Sequence, residues 1–143
     1  MIDYSDDRAR LDVPRIHAWL AGSYWSPGIA RETVERALAG SHPLGAFRDG
    51  AQVGYARIIS DRATFGWIAD VFVDESVRGE GISRGLVGWF LAHSAYRDLR
   101  RIALVTADAH GVYAPLGFHP LIRPDRYMER LHPDAEALLR AAP

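Results

Sequence analysis

Apolar positions recur along this chain with two different periods. Near the N-terminus, Ile16, Trp19 and Leu20 fall on one helical face. Asp12 stands as the N-cap of that helix, Pro14 suits its first turn and Gly22 ends it. A second helix is predicted from about Ala30 to Ala39, with Val34, Ala37 and Leu38 inward, Gly40 at its end, and Glu32 and Arg36 placed to pair at i,i+4. The period then shortens. "PLGAFRDGAQVGYARIIS" is two apolar runs around Asp49-Gly50, a hairpin signal, and "DRATFGWIADVFVD" adds another turn and strand. Residues 43 to 73 thus predict a three-stranded antiparallel meander. A helix from about Ile82 to Tyr96 follows, then a buried strand "RIALVTA" and a short helix in "DAHGVYAPLGF" closed by Pro115 and Gly117. "HPLI" and "RYMER" predict two last strands, and "HPDAEALLRAA" a terminal helix with Pro133 and Asp134 in its first turn. With a short strand over Ile2 to Ser5, the order is β-α-α-β-β-β-α-β-α-β-β-α. That is an α/β chain, or more closely an α+β mixed sheet, with an antiparallel meander followed by one βαβ crossover.

Composition narrows the picture. At 143 residues the chain suits one domain, over 1–143, and 48% hydrophobic with 24% charged residues is ordinary for a globular protein. The formal net charge of -1 makes no case for nucleic acid or an anionic membrane surface. No apolar run approaches the roughly 18 residues of a membrane span, and the acidic start "MIDYSDDRAR" lacks the apolar core of a signal peptide, so a cytoplasmic location is expected. There is no cysteine, hence no disulfide, thiolate metal site or cysteine nucleophile, and the histidines lack metal-ligand spacing.

The stretch "VRGEGISRGL", residues 77 to 86, carries the first chemical signal. Glycines there free main-chain N–H groups to turn inward, the helix that follows favours an anion at its start, and Arg78 and Arg84 flank the turn. A phosphate-binding turn, a dinucleotide-binding turn and a plain strand-to-helix connection all remain open. The dinucleotide pattern gains from Asp108, which stands after the next strand where a ribose-binding acid can sit. It loses because the third glycine is Gly85 and not at position 84, so G-x-G-x-x-G is not met. A Walker A loop is excluded, since no Gly-Lys-Ser/Thr occurs.

"VRGEGIS" resembles the Arg/Gln-x-x-Gly-x-Gly/Ala signature of the GNAT N-acetyltransferases, with Arg78, Gly81 and Ser83 in the three defined places and Ser83 departing from the usual Gly or Ala. Downstream, "YAPLGF", Tyr113 to Phe118, resembles that family's Tyr-x-x-x-Gly-Phe element, one helix and one strand later as the family has it. The order of elements is similar to the GNAT acyl-CoA acyltransferase fold over nearly the whole chain. The resemblance implies acetyl-CoA as co-substrate, with no metal. It implies that the turn Arg78, Gly79, Glu80, Gly81, Ile82, Ser83 and Arg84 holds the pyrophosphate. The pantetheine arm would lie beside Val71, Phe72 and Val73, where a main-chain N–H polarises the thioester carbonyl, and the strand at 101–107 would splay away to admit it. It also implies that Tyr113 is the general acid near the sulfur.

Four further residues draw attention. Asp70 interrupts the apolar strand "GWIADVFV" and needs a wet cleft or a partner. By alternation it shares a face with Ile68 and Phe72, where it can meet the acceptor ammonium or bond an arginine such as Arg57. Tyr24 and Trp25, in the connector between the first two helices, suit either a substrate wall or a hydrophobic plug. Asp108 suits the N-cap of the short helix, beside His110. The expected function is acetyl transfer from acetyl-CoA to the amine of a small molecule or amino-acid-like acceptor by direct attack. The alternatives are a non-catalytic acyl-CoA sensor and a nucleotide-binding regulatory domain. A homodimer is the arrangement that an exposed apolar strand or helix would serve.

Overall fold

The computed structural model describes residues 1–143. Its elements are β1 (Asp3–Ser5), α1 (Val13–Ala21), α2 (Arg31–Ala39), β2 (His42–Arg48), β3 (Ala51–Ser60), β4 (Phe65–Val73), α3 (Ile82–Ala92), β5 (Arg101–Ala103), α4 (His110–Tyr113) and α5 (Pro133–Ala141). The strands form one sheet in the order β1-β2-β3-β4-β5. All neighbours are antiparallel except β4 and β5, which run parallel and are joined through α3. The mixed α/β sheet with its meander and crossover is therefore as the sequence predicts.

Local chemistry explains the boundaries. The Asp12 carboxylate accepts the Arg15 N–H at 3.1 Å and opens α1. Asp49 and Gly50 both adopt positive φ, 51° and 82°, as a two-residue hairpin matched to strand twist requires. On α2 the ion pair is Arg31–Glu35 at 3.0 Å, rather than the expected Glu32–Arg36. The sheet is covered on both faces. Leu86, Val87 and Phe90 of α3 pack on Leu44, Ala56, Ile58 and Ile68. Ile16 and Leu20 of α1, with Val34 and Leu38 of α2, pack on Tyr55 from the other side.

Three predicted boundaries are corrected. The helix expected to reach Tyr96 stops at Ala92, because His93 turns extended and its Nδ1 accepts the Ala95 N–H, a local alternative to helical bonding. The strand expected over 101–107 is paired only over Arg101–Ala103. "HPLI" and "RYMER" form no strands. Pro120 and Pro124 remove two N–H donors, and Pro124–Arg126 closes a 3-10 turn between them.

At the end of the sheet where β2 begins, His42 bridges three segments. Its Nε2–H donates to Asp6 at 2.8 Å, and its Nδ1 accepts the hydroxyl of the buried Tyr96 at 2.5 Å. Burial pushes the His42 imidazole below its ordinary value against the pull of Asp6, helped by Arg62 and His93 nearby. The His42 N–H in turn holds the Asp6 carboxyl below the carboxylate range. The folded chain thus binds fewer protons here than the unfolded chain. The histidine contribution is intact above the unfolded imidazole value of about 6.5 and is lost as pH falls below it. The melting temperature is expected to drop by a few degrees between pH 7.5 and 5.5, and His42→Asn to flatten that slope. Equal slopes in the two proteins would remove His42 as the source.

Candidate active site

The centre of the site is a bulge in β4. Arg57 faces Ala69 and Tyr55 faces Phe72, so β4 spends three steps where β3 spends two. Asp70 occupies the extra position with φ 57°, a left-handed conformation costly for a residue with a Cβ. The bulge also overturns the expected alternation. Ile68 is packed with Leu86 and Phe90 beneath α3, whereas Asp70 and Phe72 both face the α1 side. The Asp70 carboxylate is fully engaged there: Oδ2 accepts Arg57 Nε at 2.7 Å and Oδ1 accepts Trp25 Nε1 at 2.9 Å. Only 16% of the Arg57 side chain and 11% of the Asp70 side chain are exposed, so this is a largely desolvated ion pair. Asp70 therefore takes up the structural partner that the sequence offered it.

Aromatic rings build a wall outward from the bulge. Trp19 stacks on Phe72 at 5.4 Å, Trp25 lies 6.4 Å from Phe72, and Tyr24 meets Trp25 edge-on at 5.0 Å. Trp25 is half-buried and Tyr24 exposed. Trp19 joins them from α1, although its spacing suggested only a helix-packing role. Its Nε1 donates to Asp74 at 3.3 Å.

After Val73 the chain turns sharply into α3. Asp74 caps the turn: the hydroxyl and N–H of Ser76, with Trp19 and Arg15, hold its carboxyl down to about 2. Gly79 and Gly81 follow with φ 84° and 80°, positions that disfavour any side chain. None of the main-chain N–H groups from Gly79 through Glu80, Gly81, Ile82 and Ser83 to Arg84 has an acceptor within the chain. The first bond of the helix runs from Gly85 N–H to the Gly81 carbonyl. Ile82 is buried and pins the turn to the core. Of the flanking side chains, Arg78 turns back, with Nε on the Val73 carbonyl at 3.1 Å and its guanidinium 5.5 Å over the Phe72 ring. Glu80 pairs with Arg48, while Arg84 is exposed. Gly85 serves packing: a Cβ there would fall 1.9 Å from the Tyr4 hydroxyl, so its absence lets β1 approach α3.

Beside this turn the sheet opens. The β4–β5 pairing runs from Phe65–Arg101 to Trp67–Ala103 and stops, while β4 continues to Val73. The chain beyond Ala103 swings away, and the Ala107 N–H donates to the Tyr24 hydroxyl at 3.2 Å. Val71, Phe72 and Val73 therefore have a strand neighbour on the β3 side alone. The parted chain leads into α4. Its N-cap position is Ala109, with no side-chain bond to the first turn, and the Ala109 N–H itself donates to the Thr106 hydroxyl at 2.9 Å. That corrects the expected cap, Asp108, which is exposed. Tyr113, on the last turn of α4, is buried to 8% exposure, and Phe118 meets its ring edge-on at 6.0 Å. Burial raises its phenol above the ordinary value, with Tyr24 and Asp108 adding to the effect. It therefore stays protonated across the neutral range. His110 is exposed.

The site thus combines a ring of free N–H groups, a gap between parallel strands and a protonated phenol close to Tyr24 and Asp108. Trp19, Ala107 and Thr106 are the parts that sequence patterns did not place. Arg57 stands where the sequence offered it, as the arginine bonded to Asp70.

Residues 12–118 match the family described as Acetyltransferase (GNAT). A crystal structure of a candidate GNAT-family acetyltransferase from Xanthomonas campestris pv. campestris superposes with a TM-score of 0.89 at 42% identity, covering 93% of this chain and 94% of that one. A candidate acetyltransferase of Gibberella zeae is 29% identical over 129 residues, spanning 73% of this chain and 71% of that protein. A candidate acetyltransferase from Clostridium acetobutylicum, crystallised with acetyl-CoA, shares the fold at 20% identity, with a TM-score of 0.63 over 92% of this chain and 96% of that one. With the family match extending over most of its length, and with this fold, the chain belongs to the GNAT family of acetyltransferases.

Proposed function

We propose that this protein transfers acetyl from acetyl-CoA to the amine of a small molecule or amino-acid-like acceptor by direct attack, without an acyl-enzyme intermediate. The observation that carries the reading is the coincidence of the unbonded N–H groups at 79–84 with the parting of β4 from β5. The N–H groups offer a diphosphate a set of aligned donors at a helix start. The gap lets a pantetheine arm lie against Val71, Phe72 and Val73 as the missing strand would. A main-chain N–H next to the bulge then faces the thioester carbonyl and stabilises the oxyanion that forms as the amine adds. When that adduct collapses, the C–S bond breaks and the Tyr113 hydroxyl gives its proton to the departing sulfur. Asp108 helps hold that proton on the phenol, as its effect on Tyr113 supports.

In this reading Asp70 is a positioning residue. Both of its oxygens are engaged, and what they fix is the bulge and, through Trp25, the aromatic wall. Tyr24 and Trp25 border the acceptor, and their π-faces suit an organic cation. The reading favours nitrogen acceptors because an amine can reach the neutral, nucleophilic form by itself, and Asp70, the carboxylate behind the aromatic wall, has both oxygens engaged.

Thiol release from acetyl-CoA over matched panels of amines and alcohols tests this. Turnover with amines, rising with pH as each amine loses its proton, is expected. Turnover with alcohols alone would reverse the acceptor class. Tight acetyl-CoA binding with no turnover over a broad panel would favour the sensor alternative.

A further inference from the structure

Arg57 is only partly spent on Asp70. Its Nε carries the 2.7 Å bond, and neither terminal nitrogen meets an acceptor within the chain. No side-chain nitrogen or oxygen is sealed in without a partner, so those two nitrogens reach the surface through the 16% of the side chain that stays exposed. Arg8 shows the opposite use. Both its terminal nitrogens are closed at 2.6 Å on the carbonyls of Leu38 and Ser41. On Arg57 the same fork of donors is left to water or to a ligand.

The fold says where that fork opens. Tyr55 and Arg57 are alternate residues of β3 and share the face that α1 and α2 cover. Two residues further along the same face, Ile59 is 42% exposed, so the helical cover ends at Arg57. Asp70, the other end of the ion pair, carries Trp25 on its second oxygen. One carboxylate therefore fixes both the guanidinium and a ring of the aromatic wall, and both stand beside the bulge that precedes Val71. Other cations near the site are engaged differently. Arg15 is drawn to Asp74 at 3.5 Å, Arg48 to Glu80, and Arg78 lies over Phe72 next to the glycine turn.

We propose that Arg57 binds a carboxylate of the acceptor, and that the acceptor is an amino acid with an uncharged side chain. The proposal rests on the acetyl-transfer reading above and narrows it. Two terminal nitrogens of one guanidinium form a planar fork that matches the two oxygens of a carboxylate. Asp70 holds the guanidinium in place before a ligand arrives, so binding orders little. The charge count sets the side chain. The Arg57–Asp70 pair is neutral, and a zwitterion leaves it so, whereas an acidic or basic side chain brings a net charge into a largely desolvated place. The amino end then lies toward the rings of Trp25 and Tyr24, which suit a cation until it gives up its proton.

The test uses L-amino acids with uncharged side chains, each beside its amide and its decarboxylated amine. Thiol release from acetyl-CoA gives kcat/KM, and calorimetry in the presence of CoA gives affinity. The acids should be preferred over both analogues by about tenfold to a hundredfold, mostly through KM. Arg57→Lys keeps a cation for Asp70 but loses the fork, and it should shrink that preference to within a few fold. Circular dichroism checks that the variant is folded, and the wild-type ratios stand as a test without it. Amides or decarboxylated amines used as well as the acids would overturn the carboxylate role and leave amine acetylation standing. So would a preference that survives in the lysine variant. Silence with every amine would sink the acetyl-transfer reading instead, and calorimetry would then decide this site by itself. Acids bound more tightly than their amides, with the difference lost in the lysine variant, would uphold Arg57 as the carboxylate binder; equal or absent binding would overturn it.

Discussion

Replacing Tyr113 with phenylalanine is expected to lower kcat about a hundredfold while leaving acetyl-CoA affinity nearly unchanged. That loss corresponds to about 2.7 kcal/mol of transition-state stabilisation. The substitution removes one hydroxyl and keeps the ring, so the edge-on contact with Phe118 and the packing of α4 persist. None of the chain's own hydrogen bonds uses that hydroxyl, so the variant leaves no orphaned partner behind. The pH profile sharpens the test. Burial, Tyr24 and Asp108 raise the phenol, so wild-type turnover should show no inflection from Tyr113 in the neutral range. An acid limb there reports a group other than Tyr113. Steady-state thiol release gives kcat, and calorimetry with acetyl-CoA gives the affinity. Undiminished kcat in the phenylalanine variant would leave Tyr113 a packing residue and move the proton to solvent.

Asp70→Ala should cost about 2–4 kcal/mol of stability, since it strands the Arg57 guanidinium in a largely desolvated place. The cost has two separable parts. One is the lost ion pair; the other is the left-handed backbone, which alanine tolerates less well than aspartate. Asp70→Gly removes the same carboxylate but is free to hold φ 57°, so it should be about 1 kcal/mol more stable than the alanine variant. Arg57→Met in the alanine background should recover part of the loss, because no unpaired charge then remains. Urea unfolding of the four proteins measures all of this. Alanine and glycine variants of equal stability would show that the bulge does not depend on the conformation of this residue. In activity, the alanine variant should lose more than the glycine variant if the bulge, and not the carboxylate, is what the reaction uses. The reverse order would return Asp70 to a direct part in the chemistry.

The sequence was most legible where a single local rule decides the outcome. The α1 cap at Asp12, the Asp49-Gly50 hairpin and the glycine turn at 79–81 each follow from residues whose backbone preferences leave little choice. It was least legible where two distant segments compete. Periodicity gave Asp70 a place beside Ile68, but the register of β3 against β4 inserts a residue and rotates it to the opposite face. The strand over 101–107 ends at Ala103, and the Ala107 N–H goes instead to the hydroxyl of Tyr24, 83 positions upstream in sequence. The helix through Tyr96 breaks so that this tyrosine can reach His42. "HPLI" and "RYMER" have the composition of strands, yet a strand exists only as half of a pair, and within this chain no partner reaches them.

By itself, then, the sequence determined the periodic elements, the turn whose glycines expose N–H groups, and the placing of Tyr113 one helix and one strand beyond it. Those features depend on near neighbours, whose steric and hydrogen-bonding preferences act before the chain is folded. Only the tertiary structure decided that β4 and β5 part, that Asp70 is bound by Arg57 and Trp25, and that Trp19 joins the aromatic wall. These depend on which of several possible partners each group meets, and that choice is made by the packing of the whole sheet.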